Sequence, residues 1–186
     1  MTDLRENIEA YIASLTRALA ALDRAELVAL AETLLAARER GAQVFIMGNG
    51  GSAATASHFV CDFNKGLRRE EGKNFRFICL NDNIPSLMAI ANDIGYEAVF
   101  VEQLKSYLAP GDVVMGISGS GNSANVVKAL EYAEAHGAET IALVGYDGGR
   151  MKQVARRRVH VGINDMQIVE DIHMTLDHLL MRVISE

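Results

Sequence analysis

The chain has 186 residues, with 18 Lys+Arg against 24 Asp+Glu, a formal net charge of −6, and 49% hydrophobic side chains. That length suits one domain (1–186) with a substantial core, and the acidic balance excludes a broad field for nucleic acid or an anionic membrane. No apolar run approaches the roughly 18 residues of a membrane span.

The opening Thr2-Asp3-Leu4-Arg5-Glu6 has no signal-type apolar core. Cys61 and Cys79 sit in apolar stretches without metal-ligand spacing, which fits buried thiols in a reducing compartment. A soluble cytoplasmic protein is expected. Residues 3–21 place Leu4, Ile8, Tyr11, Ile12, Leu15 and Leu19 at helical spacing behind a possible Asp3/Glu6 capping box. Asp23-Arg24-Ala25-Glu26 repeats the box before Leu27, Leu30 and Leu34, and Gly41 supplies the stop. The two helices form an N-terminal hairpin (1–41) whose spare apolar face predicts a role in oligomerisation.

An apolar run from Val44 then breaks into Gly48-Asn49-Gly50-Gly51-Ser52 and becomes helical. The pattern reads as a buried strand, a phosphate loop and a helix, with glycines allowing close backbone approach and Ser52 as N-cap. His58 and Asp62, four residues apart, share one face of that helix. A glycine-rich turn alone also serves as a mere tight connection; the paired imidazole and carboxylate make it a candidate site.

Residues 64–73 are polar and read as a loop, in which Lys65, Arg68 or Arg69 is a candidate phosphate cation. Residues 75–80 read as the second strand, and 84–91 and 97–108 as helices joined by Asn92-Asp93-Ile94-Gly95. The third strand, 113–117, runs into Ser118-Gly119-Ser120-Gly121-Asn122-Ser123 ahead of a helix over 124–135. This second loop offers hydroxyls as well as backbone amides to a phosphate. A fourth strand (140–144), a short helix (151–156), a fifth strand (159–163) and a final helix (165–185) complete the pattern, with Arg156-Arg157-Arg158 read as solvated. Strand–helix alternation predicts an α/β fold, a five-stranded parallel doubly wound sheet flanked by helices, whose ligands bind beyond the carboxyl ends of the strands.

The first loop with His58, the Asn92-Asp93 pair, the serine loop and the ending Glu170-Asp171-Ile172-His173 to His178 occur together. Together they resemble the sugar isomerase (SIS) family, and within it the phosphoheptose isomerases, over nearly the whole chain. The resemblance implies an aldose–ketose isomerase of a phosphorylated sugar, sedoheptulose 7-phosphate to D-glycero-D-manno-heptose 7-phosphate, working through an enediol with zinc as cofactor. It implies substrate contacts from Asn49, Gly50, Gly51, Ser52, Asn92, Asp93, Ser118, Gly119, Ser120 and Ser123. By the same resemblance, His58, Asp62, Glu170 and His178 are metal candidates, with Asp62 or Glu170 as base and His178 as acid.

Three positions depart from the family pattern: Asp62 stands where glutamate is usual, Glu170 where glutamine is usual, and Gly119 where a hydroxyl residue is usual. The first two changes read as compensating, a shorter first acid and a new second one. The same swap also fits an isomerase of another sugar phosphate, or a non-catalytic SIS protein that binds sugar phosphates or a protein partner. Glu170 and His178 lie eight residues apart on one helix, about 12 Å along its axis. If both serve one ion they come from different subunits, and the resemblance suggests a homotetramer with interface active sites.

Overall fold

The computed structural model describes residues 3–185; residues 1, 2 and 186 of the expected domain lie outside the described residues. Five parallel strands form the sheet: β1 (Val44–Gly48), β2 (Phe77–Cys79), β3 (Val113–Ser118), β4 (Glu139–Val144) and β5 (Arg157–His160), in the order β2-β1-β3-β4-β5. Around it run α1 (Leu4–Ala20), α2 (Arg24–Arg40), α3 (Gly51–Cys61), α4 (Ile84–Asp93), α5 (Val101–Tyr107), α6 (Ala124–Ala135), α7 (Met151–Val154) and α8 (Met166–Ser185).

Every residue of β1 and β3 is buried, because alternate side chains of a central strand feed two separate cores. Val44, Ile46, Val113, Met115 and Ile117 pack with residues of α2, α3 and α8 on one face. Phe45, Met47 and Val114 pack with α5, α6 and α7 on the other. From β1 the chain steps outward to β2, whereas β3 leads to β4 and β5 on the opposite side. The strand order therefore reverses between β1 and β3, and the crevice at their carboxyl ends receives the loops that follow both.

The helical hairpin forms as expected. Asp3 and Asp23 cap α1 and α2 by accepting from the backbone amides of Arg5 and Ala25, and Gly41 ends α2 in the left-handed region at φ 72°. Tyr11 donates to Asp171 Oδ2 at 2.5 Å and ties α1 to α8. Leu4, Ile8 and Ile12 remain exposed along α1.

Several expectations need correction. β2 is only three residues long, because Phe75 turns into an aromatic cluster with Phe63 and Phe77 instead of the ladder. The segment over 64–73 is not all loop: its start belongs to one turn of π-helix, Asp62–Gly66, continuing α3. The helix expected over 97–108 is a 3₁₀ turn, Tyr96–Ala98, followed by α5, and Asn92 and Asp93 belong to the last turn of α4. β5 starts two residues and ends three residues earlier than expected, where Arg157 to His160 pair with Ile141 to Val144. The arginine run that leads into it is partnered as well as solvated: Arg156, just before β5, binds Glu134 at 2.8 Å and Glu139 at 3.3 Å. Cys79 is buried as expected, but Cys61 is exposed, on the outer side of α3.

Candidate metal centre and substrate loops

β1 delivers the chain to the first loop at Gly48, where a Cβ would lie 2.7 Å from the backbone of Ser52, so only glycine permits so close a return. Gly50, at φ 55° and ψ −122°, is the N-cap of α3. Ser52 is thus not the cap: it sits buried within the first turn, a role that a left-handed glycine made unnecessary. Ala53 and Ala54 N–H donate to the Gly50 carbonyl at 3.1 and 3.3 Å, which leaves the amides of Gly51 and Ser52 to suit an anion or a polar sugar edge. Asn81 braces this loop from the β2 side, accepting from Gly48 N–H at 3.2 Å and donating to Gly48 C=O at 2.9 Å.

The serine loop is similarly preset. Ser118 and Ser123 share a hydroxyl contact of 2.9 Å, Gly121 N–H donates to Ser118 C=O at 3.1 Å, and Asn122 N–H donates to Ser120 Oγ at 3.2 Å. Gly121, at φ 65°, passes against the carbonyl of Gly148 with no room for a side chain. At Gly119 a Cβ would stand 2.6 Å from Met166 Sδ. Met166 therefore fills the space in which a hydroxyl side chain would begin.

Two helices bring together a compact set of donors. His58 and Asp62 lie one turn apart on α3 and its π continuation, and Asp177 and His178 project from α8. The two Nε2 atoms of His58 and His178 are 3.1 Å apart. Asp62 Oδ2 and Asp177 Oδ2 each lie 3.6 Å from His58 Nε2, and Asp62 Oδ2 lies 3.9 Å from His178 Nε2. All four residues offer ligand atoms within 4.8 Å of one another. A tetrahedral zinc site with ligands at about 2.0 Å has edges of about 3.3 Å, so this set fits such an ion with small adjustments. Two imidazoles and two carboxylates also give a nitrogen–oxygen mixture suited to zinc, with charge balanced at zero.

Asp177 is the member that sequence reasoning missed. It is fully buried, at 0% exposure, and both its carboxylate oxygens lack a hydrogen-bond partner. Burial foremost, then the neighbouring charge of Asp62, pushes its carboxyl up to about 7 against an opposing pull from His178. An orphaned carboxylate facing two imidazoles is the arrangement a cation would satisfy. The sequence did hold a signal: Asp177 and His173 are polar residues at core spacing on α8, among Val169, Ile172, Leu176 and Leu180.

Glu170 lies outside this cluster. Its Oε2 and Oε1 stand 2.7 and 2.9 Å from the position a Cβ on Gly51 would take, so its carboxylate rests against the first loop. Asn92 and Asp93 are exposed and bonded to each other at 2.7 Å, and neither is a member of the four-residue cluster. Lys65, Arg68 and Arg69 are exposed on the segment following α3, with Arg69 N–H held by Asn74 at 2.7 Å.

The sequence matches the SIS domain family over residues 9–145. It is 43% identical over 144 residues to the phosphoheptose isomerase of Citrifermentans bemidjiense, a match covering 77% of this chain and 74% of that one. It is 39% identical over 177 residues to that of Chlorobium phaeobacteroides, covering 94% and 78%. The fold is similar to the structure of phosphoheptose isomerase from Neisseria gonorrhoeae, with a TM-score of 0.89 and 30% identity over 97% of this chain and 98% of that one. The family match spans well over half of the sequence and the relatives extend it into α8, so the chain belongs to the SIS domain family, among its phosphoheptose isomerases.

Proposed function

We propose that the protein interconverts sedoheptulose 7-phosphate and D-glycero-D-manno-heptose 7-phosphate through an enediol. The observation that carries this reading is the placement of a free carboxylate, Glu170 of α8, against the first loop, while His58 and Asp62 of the His–Asp cluster lie about two and three turns beyond that loop, on α3 and its π continuation. The serine loop and the opening amides of α3 hold the polar ends of the substrate, converting its binding energy into orientation.

In this reading His58, Asp62, Asp177 and His178 would hold zinc, and the chemistry a bound zinc supplies is Lewis-acid polarisation of sugar oxygens. His178 is then assigned to the ion and not to an acid role. Glu170 is the base: its carboxylate takes a proton from C1 of the ketose and returns it to C2, while the C2 carbonyl oxygen takes up a proton from water and the C1 hydroxyl gives one back to water as the aldehyde forms. Asp62, one methylene shorter than glutamate and within the cluster, is assigned to metal holding.

The exposed apolar stripe Leu4, Ile8 and Ile12 supports self-association through the hairpin, with a tetramer as the proposed assembly. Free Cys61 and Cys79 fit a cytoplasmic setting.

Turnover of sedoheptulose 7-phosphate by metal-analysed protein, followed by NMR of the aldose product, tests the reaction. Glu170→Gln is expected to lower kcat by about 10²- to 10⁴-fold with zinc content unchanged. Full activity in that variant, or loss of zinc from it, overturns the assignment.

A further inference from the structure

Asn49 stands in the first loop where a substrate contact is expected, yet its side chain is already committed. Its Nδ2 donates to Asn125 Oδ1 at 3.0 Å, and its Oδ1 accepts from Asn125 Nδ2 at 2.9 Å and from the Tyr96 hydroxyl at 2.8 Å. An amide oxygen offers two lone pairs and an amide nitrogen two hydrogens, so one N–H of Asn49 is all that remains.

The direction of these bonds is fixed from inside the protein. Two facing amides satisfy each other equally well if both are flipped, but Asn125 Oδ1 also accepts from the backbone N–H of Val126 at 3.0 Å, which only an oxygen can do. Asn125 is 2% exposed at the start of α6. Its orientation sets that of Asn49, and Asn49 Oδ1 in turn obliges Tyr96 to be the donor. The three residues come from three different segments: the first loop, the helix that follows the serine loop, and the turn just after Asn92-Asp93.

We propose that Asn49 is a positioning residue, held by Asn125 and Tyr96, and that this node locks the two substrate loops and the Asn92-Asp93 segment into one preset shape. The inference rests on the isomerase reading for its kinetic consequence, and on geometry alone for the node. Preset loops spare the substrate the ordering of a glycine-rich segment, so loosening the node lowers turnover more than it lowers stability. Tyr96 is 61% exposed, and removing its hydroxyl leaves the core intact.

The test uses the full chain carrying Tyr96→Phe, Asn125→Ala and both together, with kcat, KM and thermal midpoint measured for each. Tyr96→Phe is expected to lower kcat/KM about fivefold with its midpoint unchanged. Asn125→Ala is expected to lower it about a hundredfold. Adding Tyr96→Phe to Asn125→Ala should then cost no further activity, because both act through Asn49. Wild-type kinetics in Tyr96→Phe, or independent effects that multiply, overturn the proposal. If Asn125→Ala does not fold, Tyr96→Phe decides alone.

Absence of turnover by the wild type would sink the isomerase reading and not the node. The node is then read from the one side-chain N–H that Asn49 donates to Asn125, which should exchange slowly with solvent in the free protein and faster in Tyr96→Phe. Rapid exchange in the wild type overturns it.

Discussion

Replacing Asp177 by asparagine should stabilise the metal-free protein while weakening its hold on zinc. The folded state raises this carboxyl from its ordinary 3.8 to about 7, so the folded protein binds the proton more tightly than the unfolded chain. Stability linked to this group is therefore greatest below 3.8, declines as pH rises toward 7, and stays low above it. At about 1.4 kcal/mol per pH unit the full cost is of order 4 kcal/mol, and an asparagine that finds no partner for its amide recovers only part of it. A gain of about 2 kcal/mol corresponds to roughly 4–8 °C for a chain of this size. Thermal unfolding in chelator at pH 7.5 and 5, and again with zinc, measures this. The variant should melt higher than wild type in chelator at pH 7.5, the gap should narrow at pH 5, and zinc should stabilise wild type more than the variant. A variant less stable in chelator at pH 7.5, or one stabilised equally by zinc, would refute the reasoning.

His173 supplies the opposite pH dependence. Buried at 1% exposure, it is held down to about 4 from 6.5, mainly by desolvation, so stability is full above 6.5 and falls as pH drops from 6.5 toward 4, by about 3 kcal/mol. His173→Leu should flatten that slope in denaturant titrations across the interval, most visibly in the Asp177→Asn background where the carboxyl no longer opposes it. At the serine loop, Gly119→Ser pushes against Met166 Sδ and should cost about 1–3 kcal/mol; adding Met166→Ala should restore most of the unfolding midpoint. Ile8→Glu with Ile12→Glu, both on exposed positions of α1, should yield a smaller species by sedimentation without loss of helicity.

The two loops were legible because glycines and serines stand directly between apolar strands and amphipathic helices, and the parallel sheet followed from that alternation. Asp177 was hidden by its neighbour: adjacent residues on a helix point about 100° apart, so a sequence that singles out His178 argues against Asp177 sharing its site. The cluster forms because His178 reaches in from a half-turned, exposed position while Asp177 projects from the buried face of α8. β5 was misplaced because Arg157 and Arg158 look solvated in sequence, whereas at a sheet edge long side chains lie along the strand with their heads in water. Phe75 reads as part of the second strand in sequence, but its ring packs against Phe63 outside the ladder.

The departures from the family pattern are better understood in pairs than singly. Gly119 lacks a hydroxyl and Met166 occupies its space. Asp62 is short, and a second carboxylate, Asp177, enters the same cluster from α8. With two carboxylates already beside the two imidazoles, a third would leave the centre over-neutralised around a dication. Glu170 lies elsewhere, against Gly51, where a neutral amide would fill the same space but could accept no proton. The proposed reading thus assigns two tasks, holding a cation and moving a proton, to different residues of one helix, α8. That division predicts that changes at Asp177 act on metal affinity and those at Glu170 on turnover, with little crossover between them.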